Sequence, residues 1–83
     1  MGAAVTLYTR PGCHLCDQAR DAIVAMRDGG AGFELHEVDI EADERLLALY
    51  LERIPVVDVD GEIVSELVLD ARALRSRLDT VAT

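Results

Sequence analysis

The two cysteines of the chain, Cys13 and Cys16, lie between a strand-like run at residues 4–9 and a helix-like run at residues 17–27. At the start of a helix, unpaired backbone N–H groups and the positive end of the helix dipole stabilise a thiolate, so such a pair can form a reactive dithiol. The same spacing in a loose loop would supply half of a metal site. The position of the pair between a strand and a helix therefore constrains the fold and the chemistry more than the sequence Cys13-His14-Leu15-Cys16 does by itself.

The length of 83 residues is enough for one domain, which we expect to span residues 1–83. Two cysteines only three positions apart cannot staple a fold, which excludes a secreted disulfide scaffold. No apolar run approaches the ~18 residues of a transmembrane helix, and the N-terminus lacks the pattern of a signal peptide. We therefore expect a cytoplasmic monomer without a membrane partner.

The formal net charge of −8 disfavours binding to nucleic acid, because an acidic surface repels phosphate backbones. The charge serves solubility or, alternatively, steers the protein toward a basic partner.

Hydrophobic periodicity and turn residues predict the element order β-α-β-α-β-β-α. Asp43 and Asp70 are expected to cap helices, and Asp60-Gly61 suits the tight turn of a hairpin. Early alternation implies parallel pairing through helical crossovers, and the hairpin adds antiparallel strands. We thus expect an α/β fold with a four-stranded mixed sheet covered by helices on both faces. The predicted strands are 4–9, 33–40, 56–59 and 62–64, and the predicted helices are 17–27, 44 to about 51, and one from 71 that ends in a frayed tail at 80–83.

The first predicted helix has apolar side chains at helical spacing, which indicates the face that packs on the core. These residues are Leu15, Ala19, Ala22, Ile23 and Met26.

The spacing of the cysteines makes the two thiols unequal. Cys13 would lie at or before the first turn, where its thiolate could attack a substrate disulfide. Cys16, one turn later, would be more buried and would resolve the mixed disulfide. Arg10 and a protonated His14 would lower the pKa of Cys13, whereas Asp17 would act in the opposite sense. Alternatively, His14 is an exposed residue with little effect.

Metal binding is the main alternative use of the pair. A zinc site needs four ligands, usually as two pairs, and here the second pair is missing. His36 stands alone in a predicted strand, where a surface role is expected. We therefore expect no bound metal, although an iron–sulfur cluster shared between two chains remains an alternative.

The segment 7–16, the sequence Ile54-Pro55-Val56-Val57 and the following Asp60-Gly61 resemble glutaredoxins of a small Cys-His-Leu-Cys type. The resemblance covers the chain from about Val5 to Leu78 and implies the thioredoxin fold. It resembles thioredoxin proper less, because no tryptophan precedes the first cysteine and the chain is short.

The resemblance assigns further site residues. It implies that Pro55 is a cis-proline facing the dithiol and that the backbone of Ile54 pairs with an extended substrate. Arg10 falls where many glutaredoxins carry a lysine near the thiolate. Tyr8 matches an aromatic residue that ends the first strand, with core packing as its alternative role.

The sequence departs from the pattern of the glutaredoxins that use glutathione, so the resemblance does not extend to glutathione binding. Arg53 precedes Ile54-Pro55 in place of the usual threonine-containing motif, and residues 65–70 replace a Gly-Gly sequence. Glu66 would repel a glutathione carboxylate. The resemblance still implies a thiol-disulfide oxidoreductase that acts on protein or mixed disulfides. We expect it to have no bound cofactor and to take electrons from a reductase or a low-molecular-weight thiol. The alternative is a redox-sensing, interaction or iron–sulfur-carrying module without turnover.

Overall fold

Four strands form one mixed sheet in a computed structural model that describes residues 3–82. The strands are β1 (Ala3–Thr9), β2 (Phe33–Asp39), β3 (Val56–Val59) and β4 (Glu62–Glu66). The helices are α1 (His14–Asp28), α2 (Glu44–Tyr50) and α3 (Ala71–Ala82), and a 3-10 turn, Ile40–Ala42, precedes α2. This is the predicted element order β-α-β-α-β-β-α.

The first strand lies in the middle of the sheet, whose strand order is β2-β1-β3-β4. β1 pairs in parallel with β2 and antiparallel with β3, so that Val5 is opposite Leu35 on one side and Val59 on the other. β4 pairs antiparallel with β3. The helical crossover and the hairpin expected from the sequence are both confirmed, and they bring the end of β1 and the start of β3 side by side.

Apolar side chains cover both faces of the sheet. On one face, α1 and α3 pack on alternate residues of β1 and β3; the buried residues are Ala3, Val5, Leu7, Ala19, Ile23, Phe33, Val57, Val59, Leu74 and Leu78. On the other face lies a smaller cluster of Cys16, Ile40, Ile54 and Val56, covered by Tyr8 and by Leu46, Leu47 and Tyr50 of α2. Burying one such aliphatic side chain contributes about 1.5–3 kcal/mol, so the larger cluster supplies most of the apolar stabilisation.

The predicted caps and turn are confirmed. Asp43 Oδ1 accepts the backbone N–H of Arg45 at 2.8 Å, and Asp70 Oδ1 accepts that of Ala73 at 3.0 Å. In the hairpin, Asp60 and Gly61 have φ angles of 50° and 93°, the left-handed conformations that a tight turn of this kind requires.

Three expectations need correction. Ile40 begins the 3-10 turn rather than ending a strand, because Asp39 caps that turn by accepting the N–H of Glu41 at 2.8 Å. The third helix continues to Ala82 instead of fraying at Thr80, whose hydroxyl donates to the carbonyl of Ser76; Thr83 lies outside the described residues.

The third correction concerns the apolar face of α1. Ala19 and Ile23 are buried, and Met26 packs against the larger cluster, as expected. Leu15 is 45% exposed and Ala22 is also exposed. The reason is that these two residues line a groove between α1 and the segment after β4, which covers them incompletely.

Within the described part of the chain, no helix is both long enough and apolar enough to cross a membrane.

Candidate active site

Cys13 caps the N-terminus of α1 and forms a disulfide with Cys16. Gly12, at φ +78°, turns the chain after β1, and Cys13 itself is extended. The Sγ atom of Cys13 accepts the backbone N–H of Cys16 at 3.1 Å, where serine or aspartate oxygens commonly act as caps. In the reduced protein the same N–H and the helix dipole would favour a thiolate at this position.

The two cysteines differ in exposure, as predicted. Cys16 is 1% exposed and packs in the smaller cluster with Ile40, Ile54 and Val56. Cys13 is half-buried at the edge of the same cluster. An external thiol or disulfide therefore reaches Cys13 far more readily than Cys16.

Ile54 and Pro55 directly precede β3. The peptide bond between them is cis, as the family resemblance implies, and both residues are buried. Ile54 belongs to the smaller cluster, which contains Cys16 and against which Cys13 packs. Its N–H donates to the carbonyl of Tyr50 at 3.0 Å, and the pairing of its backbone with a substrate stays a prediction.

The two cationic candidates lie on either side of Pro11-Gly12. The guanidinium of Arg10 forms an ion pair with Glu41 at 2.5 Å and lines a shallow polar groove with Asp17. His14 is the first residue of α1 and is exposed. The pairing with Glu41 offsets the charge of Arg10, and the influence of Arg10 and His14 on Cys13 stays a prediction.

An ion pair beside the site was not anticipated from the sequence. Arg53 donates two hydrogen bonds to the carboxylate of Glu66, from Nε at 2.8 Å and from Nη2 at 2.7 Å. These bonds lower the pKa of Glu66 below its ordinary 4.5 and raise the pKa of Arg53. Glu66 is thus held by a cation rather than standing as a free negative charge.

Arg53 is also part of an aromatic contact on the same side of the sheet. Its guanidinium carbon lies 5.3 Å from the centroid of the Tyr50 ring, and the rings of Tyr50 and Tyr8 are 4.7 Å apart. Burial, with the nearby carboxylate of Asp58 as a further cause, raises the pKa of Tyr8 above 10.0. Tyr8 is partly buried and packs against the smaller cluster, in agreement with the expected packing role.

The segment after β4 forms a defined turn. Leu67 has a φ of +68°, and its N–H donates to the carbonyl of Arg53 at 2.9 Å. The buried hydroxyl of Ser65 donates to the carbonyl of Val68 at 3.1 Å and accepts the N–H of Asp70 at 2.8 Å. The turn leaves Leu67 52% exposed and Val68 69% exposed. The sequence shows only that Leu67 and Val68 are adjacent apolar residues. That both are exposed in a turn is visible only in the structure.

Among the described residues 3–82, no three or more His, Cys, Asp or Glu side chains are placed to bind a metal ion together. His36 lies on the exposed edge of the sheet, 3.4 Å from Glu34, which confirms its predicted surface position.

Comparison with known proteins places this site in a family context. Residues 4–79 match the model of the glutaredoxin-like domain (DUF836). A protein from X. campestris solved by X-ray diffraction is 39% identical, with 92% of this chain and 96% of that one covered and a TM-score of 0.71. The solution structure of a protein from Nitrosomonas europaea is 26% identical over 94% and 93% of the two chains, with a TM-score of 0.83.

A mutant thioredoxin from Halobacterium salinarum is 18% identical and covers 95% of this chain and 74% of its own, with a TM-score of 0.68. This likeness shows the thioredoxin fold. No curated protein matches the chain. The matched family model spans the cysteine pair, the Ile54-Pro55 segment and the hairpin, and the chain belongs to the glutaredoxin-like family.

Proposed function

We propose that this protein is a thiol-disulfide oxidoreductase that reduces protein disulfides or mixed disulfides. The observation that carries the proposal is the bonded pair at the start of α1, in which Cys13 is accessible and Cys16 is buried. A pair with one accessible and one buried cysteine suits a two-step exchange. The accessible sulfur attacks the substrate disulfide, and the buried sulfur then resolves the mixed disulfide.

The catalytic sequence starts from the reduced dithiol. The Cys13 thiolate attacks one sulfur of the substrate disulfide, a new S–S bond forms, and the other substrate sulfur leaves as a thiolate that takes up a proton. Cys16 then loses its proton and attacks Cys13, which releases the second substrate thiol and forms the Cys13–Cys16 disulfide. Two electrons and two protons pass in total from the dithiol to the substrate disulfide.

Activation of Cys13 rests on its helical position. The N–H of Cys16 points at the Cys13 sulfur. In the reduced protein it would stabilise the negative charge of a thiolate there, and the helix dipole would add to this effect. We therefore expect a pKa for the reduced Cys13 thiol below the value of about 8.5 for a free cysteine. Arg10 and His14 are proposed as positioned near the entering substrate, and the carbonyl of Ile54, next to Pro55, as its backbone partner.

The donor is proposed to be a low-molecular-weight thiol or a disulfide reductase, which returns two electrons to the Cys13–Cys16 disulfide. A monomer without a bound cofactor suffices, since the dithiol itself carries the electrons. We propose a cytoplasmic location, because a dithiol reductant must be kept reduced by its compartment.

The test compares Cys13→Ser with Cys16→Ser in the reduction of bis(2-hydroxyethyl) disulfide and of a protein disulfide, with dithiothreitol as donor. We expect Cys13→Ser to abolish turnover. Cys16→Ser, reduced and then freed of dithiothreitol before it meets the substrate, should accumulate a mixed disulfide, visible by intact-protein mass spectrometry. Unchanged turnover by Cys13→Ser would refute the proposal. Absence of exchange in the wild type would instead favour a sensing or cluster-carrying module, and anaerobic visible absorbance would identify the cluster.

A further inference from the structure

A groove of about 440 Å³ runs along α2 and the turn that follows it. Its lining contains four apolar and two acidic residues: Leu47, Ala48, Leu49, Leu51, Glu44 and Glu52. Arg53 completes the lining, and its guanidinium is already hydrogen-bonded to Glu66. Neither cysteine lines this α2 groove, which is therefore a different surface from the one through which Cys13 is reached.

The second helix is apolar on more sides than the sheet covers. Residues 46–51 are all apolar, and a helix that is apolar on every side is normally buried. Three of these residues pack against the smaller cluster, yet no residue of α2 is buried. Leu49 is 56% exposed and Leu51 is 44% exposed. Within residues 3–82, the side of α2 that carries these two leucines is thus left without a partner.

Two carboxylates bracket the exposed leucines of the α2 groove. Glu44 lies in the first turn of α2 and Glu52 lies just beyond its last turn, roughly 12 Å further along the helix axis at 1.5 Å per residue. In the described part of the chain, neither carboxylate forms an ion pair. The groove therefore presents an apolar centre with an unpaired negative charge at each end.

This charge pattern discriminates between possible occupants. A second copy of the chain would bring equivalent carboxylates together, and like charges across an interface are unfavourable. Anionic lipid headgroups would be repelled by the net charge of −8. A cationic polypeptide with apolar side chains matches both the charge and the apolar centre.

We propose that the α2 groove binds an amphipathic helix of a partner protein, whose apolar side chains are flanked by lysines or arginines about two turns apart. A helix of this kind lays its apolar face in a groove, where it would cover Leu49 and Leu51. Its flanking cations would pair with Glu44 and Glu52. Because the groove contains neither cysteine, this binding does not depend on the proposed oxidoreductase activity.

The test uses a fluorescein-labelled synthetic peptide of about 18 residues, which is long enough to form a helix. One face of the peptide carries leucines in successive turns, with a lysine on either side of them. In fluorescence anisotropy with the full-length protein, we expect a Kd about tenfold lower than for a peptide with alanines in place of the leucines. A peptide with glutamates in place of the lysines should also bind more weakly. Equal affinity of the lysine peptide and either matched peptide would overturn the proposal.

Variants of the protein locate the binding surface. Leu49→Gln should weaken binding of the leucine–lysine peptide about tenfold, whereas Leu15→Gln, at a leucine of similar exposure on α1, should leave it unchanged. A loss of affinity in Leu15→Gln that Leu49→Gln does not show would place the peptide beside the cysteine pair and overturn the proposal.

The charge assignment has its own matched pair of variants. Glu52→Gln should weaken binding about threefold, the effect of losing one exposed ion pair. Asp79→Asn removes the same charge from an exposed position of α3 and should have little effect. Equal losses in the two variants would show non-specific attraction to an acidic protein and would contradict the proposed site.

Two measurements on unaltered groove residues complete the test. In the wild type, the peptide should shift the amide resonances of residues 44–53 most strongly, and larger shifts elsewhere would overturn the proposal. In the Cys13→Ser, Cys16→Ser double variant, the Kd should be unchanged, whether or not the wild type reduces disulfides; a lost affinity there would show that binding requires the cysteine pair. If the wild type sediments as a dimer that Leu49→Gln dissociates, the groove binds a second copy and the proposal is wrong.

Discussion

Arg53 and Glu66 are joined by two side-chain hydrogen bonds, and the residue after Glu66 is joined to the backbone of Arg53 by a third. Arg53 directly precedes Ile54-Pro55, and Glu66 directly precedes the turn that borders the groove beside α1. The two segments that flank the cysteine pair are therefore fixed relative to each other. Glu66, which the sequence alone suggests as a repulsive charge, instead acts as the partner that holds this arrangement.

The Arg53–Glu66 pair makes stability depend on pH in acid. The folded-state pKa of Glu66 is lowered, so its contribution is complete well above pH 4.5 and is lost as the pH falls through the lower folded value. We expect Glu66→Gln to lower the melting temperature at neutral pH and to approach the wild type as the pH falls through the lowered folded-state pKa of Glu66. Arg53→Gln should show the same loss of pH dependence; a difference from the wild type that is constant with pH would contradict this account.

The hydroxyl of Ser65 stabilises the turn at Leu67 and Val68. Ser65→Ala leaves the N–H of Asp70 and the carbonyl of Val68 without this partner in a buried position. We expect a loss of about 1–3 kcal/mol in the free energy of unfolding, measured by urea denaturation. Ser76→Ala, an exposed serine of α3, is the matched control and should change stability by less than about 0.5 kcal/mol. Equal effects of the two substitutions would argue against the role of Ser65.

The hairpin turn requires glycine at position 61. At a φ of +93°, an alanine is strained, and we expect Gly61→Ala to destabilise the protein by about 1 kcal/mol or more. Gly32 has open space around its Cβ position and no positive φ, so Gly32→Ala is expected to be neutral or to stabilise by about 0.4–1 kcal/mol. Thermal unfolding of the two variants side by side checks the difference in sign.

The face of α1 that packs on the sheet is tested at Ile23, which is fully buried in the larger cluster. Ile23→Ala is expected to cost about 2–5 kcal/mol, because it removes apolar contacts and leaves a cavity. Ile63→Ala, at a more exposed position on β4, is the control, and we expect it to cost clearly less than Ile23→Ala. Chemical denaturation followed by circular dichroism measures both; a small effect at Ile23 would contradict the assigned packing.

Exposure of the cysteines predicts unequal modification after reduction. Iodoacetamide should alkylate Cys13 rapidly and leave Cys16 largely unmodified in the folded protein, since Cys16 is 1% exposed. Peptide mapping after a short reaction gives the ratio directly, and the same reaction in urea should modify both. Comparable labelling in the folded state would show that the assigned roles of the two thiols are wrong.

Local patterns sufficed to predict most of the fold. The caps Asp43 and Asp70, the turn at Asp60-Gly61 and the cysteine pair before α1 are all short-range signals, and each was confirmed. The strand order could not be predicted from the sequence, because periodicity indicates which segments form strands but not which strands pair with each other. The Arg53–Glu66 pair and the turn fixed by Ser65 were missed for a related reason: both depend on how the segment at Arg53 meets the end of β4.

The burial of Cys16 limits the order in which molecules can bind. In the proposed reaction an oxidised substrate and a reducing donor would both have to reach the same sulfur of Cys13, so they could not be bound productively at the same time. Each would have to leave before the other enters, and the proposed enzyme would alternate between its dithiol and disulfide forms. Steady-state kinetics should therefore give parallel double-reciprocal lines, the pattern of a ping-pong mechanism, and excess donor should inhibit by occupying the surface that the substrate needs.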